Sequence, residues 1–107
     1  MKAHALHGHL DALLLAVLED GPLHGYAIIE ALQSRSQGAL NPPTGTIYPA
    51  LRRLERAGYV DSDWSTVNGR ERRTYQLTSG GRRALAGERA AWHEFSSTVA
   101  RFLGSPA

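Results

Sequence analysis

The sequence predicts a mainly α-helical fold with a small β-hairpin: a winged helix-turn-helix followed by one long C-terminal helix. Three segments with the apolar spacing of helices come first, between residues 8 and 58. The spacing then changes to strict alternation in two short segments on either side of an Asn-Gly pair, the pattern typical of a β-hairpin. A last helical segment runs to residue 103. We expect a winged helix over residues 1–78, a dimerisation helix over 79–103 and a short tail over 104–107.

Length and composition indicate a single globular unit. The 107 residues are 42% hydrophobic and 21% charged, which are ordinary values for a folded domain. Cysteine is absent, which excludes disulfides, thiol catalysis and cysteine zinc sites. The longest apolar run, residues 12–18, has acidic residues at both edges and is far shorter than the ~20 residues of a membrane span. We therefore expect a cytoplasmic protein with no membrane partner.

Positive charge is concentrated in the middle of the chain. The net charge is +2, but residues 41–83 hold eight arginines and four acidic residues, a local net charge of +4. Residues 1–40 have a net charge of −2, and residues 84–107 are neutral. Because the planar guanidinium donates hydrogen bonds in pairs to phosphates and base edges, this cluster predicts a nucleic-acid partner.

The first two helices are predicted over residues 8–19 and 24–36. Gly21-Pro22 separates them, and Gly38 ends the second. Their inward-facing residues are expected to be Leu10, Leu13, Leu14, Leu15, Val17 and Leu18 in the first helix and Tyr26, Ile28, Ile29 and Leu32 in the second.

The third helix, residues 44–58, has the sharpest pattern. Its buried face is predicted to contain Ile47, Leu51 and Leu54, and a second face contains Tyr48, Arg52 and Arg56. Pro49 is tolerated if the helix begins at Gly45 or Thr46, because N–H groups of the first turn have no helical partner to lose. Gly58 is the expected C-terminal cap.

The hairpin strands are predicted near residues 59–64 and 72–77, with residues 65–72 forming the turn region of the wing around Asn68-Gly69. Val60 and Trp64 are expected on one side of the first strand. Tyr75 and Leu77 are expected to point inward from the second.

The last helix begins after a cap at Thr78 or Ser79 and carries a heptad-like apolar seam. No other predicted element is left to cover this seam, so we expect a second copy of the chain to cover it. The predicted dimerisation residues are Leu10, Leu14, Leu85, Trp92, Phe95, Val99 and Phe102.

Four segments together resemble the PadR family of prokaryotic transcription regulators. They are Gly21-Pro-Leu-His-Gly-Tyr26, Gly45-Thr-Ile-Tyr-Pro-Ala-Leu-Arg-Arg-Leu-Glu55, Gly58-Tyr-Val60 and Arg73-Thr-Tyr-Gln-Leu-Thr78, the last followed by Gly81. The resemblance implies a homodimer with interlocked terminal helices, a recognition helix in the major groove of double-stranded DNA, and wings that contact the backbone or minor groove. The single C-terminal helix resembles the short PadR subfamily. Family members are commonly repressors, and many are relieved by a small molecule.

We therefore predict that helix 44–58 and the wing 65–72 bind a palindromic operator. Helix N-termini attract phosphates, arginines at the tip of a wing meet the DNA backbone, and Gly25 is expected to let the backbone approach a phosphate closely. The predicted DNA contacts are Gly25, Thr44, Gly45, Thr46, Tyr48, Arg52, Arg53, Arg70, Arg72 and Arg73. The alternative is that the arginines are solvated surface and that Tyr48 packs on Pro49. Tyr26 is assigned to the core, and His24 stays open between the two interpretations.

Trp92 has two interpretations. It lies 14 residues after Thr78, a spacing similar to that of a tryptophan in drug-responsive PadR relatives, where the two copies sandwich flat aromatic ligands. A small aromatic effector at Trp92, with Arg89 facing an anionic group, is one interpretation, and a simple interface anchor is the other.

No metal site and no cofactor are predicted. His4, His7 and His9 have no pair at i and i+4, and only Asp11 lies near them in the sequence. An enzyme is not expected, because no nucleophile–base constellation or phosphate-binding glycine loop is present. A winged helix that binds a protein partner is the remaining alternative, and salt dependence of binding separates it from a DNA-binding protein.

Overall fold

The structure is a computed structural model that describes residues 9–105. Its elements are α1 (Leu10–Val17), β1 (Leu23–His24), α2 (Gly25–Arg35), α3 (Thr44–Arg56), β2 (Val60–Val67), β3 (Arg70–Leu77) and α4 (Ser79–Leu103). The predicted fold class is confirmed. The wing differs in one respect: the strand order is β1-β3-β2, so a third short strand joins the predicted hairpin. A strand of two residues is too short for its alternation to show in a sequence.

The first three helices pack their apolar faces around one core. Leu14, Ile28, Ile47 and Leu51 are completely buried and contribute to it from α1, α2 and α3. Val60, Tyr75 and Leu77 close the core from the sheet, as the alternation in both strands predicted. Burial also raises the pKa of the Tyr75 phenol.

The assignment of Tyr26 to the core is wrong. Its side chain is 65% exposed, whereas Ile28 and Leu32 occupy the inward face of α2. At 100° per residue, Tyr26 lies about 200° around the helix from Ile28, so both side chains cannot face the core. Tyr26 instead lines a groove with Tyr48 and Arg72.

Helix α3 begins at Thr44, as predicted, after an N-cap at Pro43, and not at Gly45 or Thr46, the starts that would tolerate Pro49. Pro49 therefore lies in the second turn, and the prediction that it occupies the first turn is wrong. The carbonyl of Gly45 loses its usual N–H partner as a result. The C-terminal prediction is confirmed, since Gly58 has φ +82° and the N–H of Tyr59 donates to the Leu54 carbonyl at 3.0 Å.

The wing is a longer ladder than the sequence predicted. Strands β2 and β3 pair without interruption from Val60↔Leu77 to Val67↔Arg70. Residues 65–72 are therefore mostly paired strand, and only Asn68 and Gly69, with φ of +52° and +77°, form the turn. Both faces of the outer hairpin are exposed, so polar composition there does not distinguish a strand from a loop.

Helix α4 begins at the predicted cap. The Thr78 Oγ1 accepts a hydrogen bond from the Gly81 N–H at 3.0 Å and donates to the Gly58 carbonyl at 2.6 Å. Gly81 and Leu85 are buried, so the first two turns of α4 pack on the core and the rest extends beyond it. Within residues 9–105, the longest helices lack the sustained apolar stretch that a membrane crossing requires.

Candidate nucleic-acid interface

Two adjacent grooves lie where helices α2 and α3 meet the hairpin, one against the start of α2 and the other along α3. The first groove, of about 500 Å³, is lined by His24, Gly25, Tyr26, Tyr48, Arg70, Glu71 and Arg72. The second groove, of about 510 Å³, is lined by Tyr48, Arg52, Glu55, Arg56, Trp64, Arg73 and Tyr75. Tyr48 belongs to both, so its ring forms the boundary between them.

The ring of Tyr48 explains why position 25 is occupied by glycine. A Cβ atom at position 25 would lie 2.8 Å from Cε1 and 2.9 Å from Cζ of the Tyr48 ring, and still closer to its hydroxyl. Gly25 is buried under this ring, and the approach of its backbone to a phosphate stays a prediction. The close approach that requires glycine is made by α3 of the same chain.

Backbone donors are available at the starts of α2 and α3. Among the described residues, neither N-cap, His24 nor Pro43, makes a side-chain hydrogen bond to its helix. The first N–H groups of a helix have no internal carbonyl partner and carry the positive end of the helix dipole. Thr44 and Gly45 at the start of α3 are exposed, so an anion can reach this end of the helix.

The predicted arginine contacts fall into two groups. Arg53 donates to Asp11 of α1 at 2.9 Å, and Arg73 contacts Glu55, Ser62 and the Trp64 ring. Within residues 9–105, no hydrogen bond or ion pair forms from the side chains of Arg52, Arg70 and Arg72, and all three line the grooves. The sequence could not separate these groups, because their partners lie on other elements.

Thr46 and Arg53 lie apart from the two grooves. Seven positions separate them, so they share a face of α3. They line a different depression, of about 390 Å³, with His9, Asp11 and Glu88. The predicted set of DNA contacts is therefore not one surface: Thr44, Tyr48 and Arg52 face one way, and Thr46 and Arg53 face α1.

Two aromatic residues of the grooves are absent from the predicted DNA contacts. Tyr26 is one, although its position around α2 relative to Ile28 and Leu32 places it outside the core. Trp64 pairs directly with Arg73 across the hairpin, a neighbour that becomes evident only once the strand register is known.

Arg89 is held by an acidic residue of its own chain. Its two terminal nitrogens donate to the two carboxylate oxygens of Glu19 at 3.2 and 3.0 Å. This hydrogen-bonded pairing lowers the pKa of Glu19 and raises that of Arg89. In the free chain the Arg89 guanidinium is therefore occupied by Glu19, and its pairing with an effector, or with an acid of a partner, stays a prediction.

The predicted dimerisation residues also divide in two. Leu14 has no exposed surface, and Leu10 and Leu85 have almost none, because all three belong to the core of their own chain. They therefore offer almost no surface to a second copy, and their role in dimerisation stays a prediction. In contrast, Trp92, Phe95 and Phe102 of α4 are 53%, 61% and 83% exposed, and Val99 is partly exposed.

One histidine near the seam has an aromatic partner. The ring of His9 packs edge-on against Trp92 with 5.8 Å between centroids, and Trp92 packs against Phe95 at 6.1 Å. His4 and His7 lie outside the described residues.

The fold and this face define a winged helix with a basic, partly aromatic surface. The sequence profile of the Transcriptional regulator PadR-like family matches residues 14–87. The chain belongs to this family, so the resemblance stated from the four motifs is confirmed.

The chain is similar to several transcription regulators, in sequence or in fold. It is 40% identical over 80 residues to Transcriptional regulator Rv3488 of Mycobacterium tuberculosis, covering 75% of this chain and 72% of that protein. A PadR family transcription regulator from Clostridium difficile R20291 superposes with a TM-score of 0.82 at 30% identity, covering 90% of this chain and 99% of the other. Bacillus subtilis PadR in complex with operator DNA gives a TM-score of 0.67 at 25% identity, covering 73% of this chain and 45% of the other.

Proposed function

We propose that the chain is a homodimeric repressor that binds a palindromic operator in double-stranded DNA. The observation that carries the proposal is the face around Tyr48, where Arg52, Arg70 and Arg72 line the two grooves and make no side-chain hydrogen bond or ion pair with the described residues. The likeness to a PadR protein crystallised with operator DNA supports it. In this proposal residues 1–78 bind DNA, residues 79–103 dimerise, and the protein acts in the cytoplasm.

Helix α3 enters the major groove with its exposed N-terminal turn leading. Thr44, Gly45, Tyr48 and Arg52 face the base edges and the nearest phosphates. Arg70 and Arg72 of the wing contact phosphates, which fixes the position of the protein on the duplex. Among the predicted contacts, Gly25, Arg53 and Arg73 instead serve contacts inside the chain.

A second copy covers the exposed seam of α4. Each phenylalanine or tryptophan buries about 150–250 Å² when it is enclosed, so Trp92, Phe95 and Phe102 together supply a substantial apolar contact. Dimerisation places two copies of α3 on the same side of the duplex, about 34 Å apart, which is one turn of DNA. A palindromic site follows from this two-fold symmetry.

A small aromatic effector is proposed to bind at Trp92 and to release the operator. Trp92 lines a shallow cavity of about 240 Å³ with His9, Glu88, Ala91 and Phe95. This cavity opens on the side that the second copy covers in the proposed dimer, so a flat ligand can stack between the two tryptophans. Because Arg89 is paired with Glu19, the proposal rests on Trp92 alone.

Binding to random-sequence duplex DNA at two salt concentrations, followed by selection of tight binders, tests the DNA-binding function. We expect binding that weakens steeply with salt and a selected site with two inverted halves. Binding that does not respond to salt, or no binding at low salt, would contradict the proposal and favour a protein partner for the basic face.

A further inference from the structure

We propose that Arg73 is a positioning residue that fixes the angle between the wing and α3, and that Glu55, Ser62 and Trp64 hold it in place. The effect on DNA rests on the proposed function. The contacts themselves belong to the free chain and can be tested without DNA.

Arg73 has partners on three sides. Its Nε donates to the Ser62 Oγ at 2.9 Å, and its Nη2 lies 3.6 Å from Glu55 Oε2. Its guanidinium carbon lies 5.5 Å from the centroid of the Trp64 ring, within the range of a cation–π contact. The Ser62 Oγ donates in turn to Glu55 Oε2 at 3.1 Å. The single hydroxyl proton of Ser62 is thus given to Glu55, while its oxygen accepts from Arg73.

These four side chains connect three elements. Glu55 belongs to α3, Ser62 and Trp64 belong to β2, and Arg73 belongs to β3. The Glu55 side chain is only 24% exposed, so its charge is less screened than that of an open surface carboxylate. The network therefore joins the recognition helix to both strands of the wing.

The wing needs such a connection because its outer half extends beyond the hydrophobic core. Residues 65–71, which comprise the end of β2, the turn and the start of β3, are exposed. An isolated two-stranded hairpin is only marginally stable. Its orientation depends on contacts at its base. Strand alternation places Arg73 on the same face as the buried Tyr75 and Leu77, toward α3, while Arg70 and Arg72 lie on the opposite face.

Because Glu55 is negatively charged, the direction in which its substitution changes DNA affinity tests the proposal. If Glu55 acted only through its charge, Glu55→Gln should strengthen DNA binding, because it removes repulsion between the protein and phosphates. If Glu55 holds Arg73 and the wing in place, the same substitution should weaken DNA binding. Ser62→Ala changes no charge and should also weaken it.

The affinity experiment uses the 107-residue chain and a duplex selected from a random pool by the wild-type protein. We expect Glu55→Gln, Ser62→Ala and Arg73→Met each to weaken binding about fivefold, and the Glu55→Gln/Arg73→Met pair to weaken it no more than the worse single variant. Arg83→Met is the matched control, since it removes an exposed arginine of α4 that makes no side-chain bond within residues 9–105. It should stay within about twofold of wild type. Tighter binding by Glu55→Gln, or full additivity of the pair, overturns the proposal.

A second measurement needs no DNA. With 5-fluorotryptophan in place of tryptophan, the chain gives two fluorine resonances, and Trp64→Phe assigns the one from Trp64. We expect Glu55→Gln to shift or broaden the Trp64 resonance and to leave that of Trp92 in place. An unchanged Trp64 resonance contradicts the network. If the wild-type chain binds no duplex, the proposed function fails. The fluorine measurement then decides by itself whether Glu55, Ser62 and Trp64 hold Arg73 in place.

Discussion

Removal of Arg70 should reduce the salt dependence of DNA binding by an amount that follows from its geometry. Its side chain lies at the free end of the wing, where β2 and β3 meet in the Asn68-Gly69 turn. Each phosphate contact contributes about −0.9 to the slope of log affinity against log salt. Because a dimer carries two copies, Arg70→Ala should make the slope less steep by about 1.8. Between about 50 and 200 mM salt, the difference between wild type and variant should therefore shrink about tenfold.

Arg53→Ala is the matched control for this experiment. Arg53 has the same side chain on the neighbouring α3, but its guanidinium is bound to Asp11 at 2.9 Å. We expect its slope to equal that of wild type. Fluorescence anisotropy of a labelled duplex over a salt series measures both slopes, and circular dichroism confirms that both variants fold. Equal slopes for the two variants would refute the division of the arginines into free and paired groups.

Three further predictions follow from other contacts. Trp92→Glu should give monomers by light scattering with helical circular dichroism retained, because it places a charge in the proposed seam; a stable dimer of this variant would contradict the seam. Gly25→Ala should destabilise the fold by about 1–3 kcal/mol in thermal melts, because its Cβ overlaps the Tyr48 ring. Gly45→Ala, where a Cβ meets no described atom within 4 Å, should be neutral or stabilising, and equal losses at both sites would count against the Tyr48 contact. The hydrogen bond from Arg89 lowers the pKa of Glu19 in the folded state. The pairing therefore stabilises the fold fully at pH values above the unfolded-state pKa, and this stabilisation is lost as the pH falls through the folded-state pKa. Glu19→Gln should therefore flatten the loss of thermal stability below about pH 5, and an unchanged pH profile would exclude the pairing.

The sequence predicted the elements well because their signals are local. The apolar spacing of Ile47, Leu51 and Leu54 requires only the chain within one helix, and the Gly58 cap requires only a few neighbouring residues. The same holds for the Asn68-Gly69 turn, which the structure confirms although the ladder around it is longer than predicted.

The candidate site was predicted less completely because the partners of long polar side chains are distant in the chain. Arg89 binds Glu19 and Arg53 binds Asp11, across separations of 70 and 42 residues. Exposure on a helix face is periodic and therefore predictable, but the choice between phosphate and an intramolecular carboxylate depends on how the helices pack. Tyr26 is a different case, because the helical positions of Ile28 and Leu32 define the inward face of α2 and already exclude Tyr26 from it.

The hydroxyl of Thr78 joins the start of α4 to the end of the recognition helix, and the Arg89–Glu19 pair holds α4 further along. The hydroxyl accepts from the first turn of α4 and donates to the carbonyl of Gly58, where α3 ends. The 25 residues of α4 extend about 37 Å from this point. A rotation of about 5° at Thr78 displaces the far end of α4 by about 3 Å, close to the 3.4 Å rise of one base pair. In a dimer joined along α4, a small angular change at the base of this helix, where Thr78 and the Arg89–Glu19 pair hold it, would alter the distance between the two recognition helices by about the rise of one base pair.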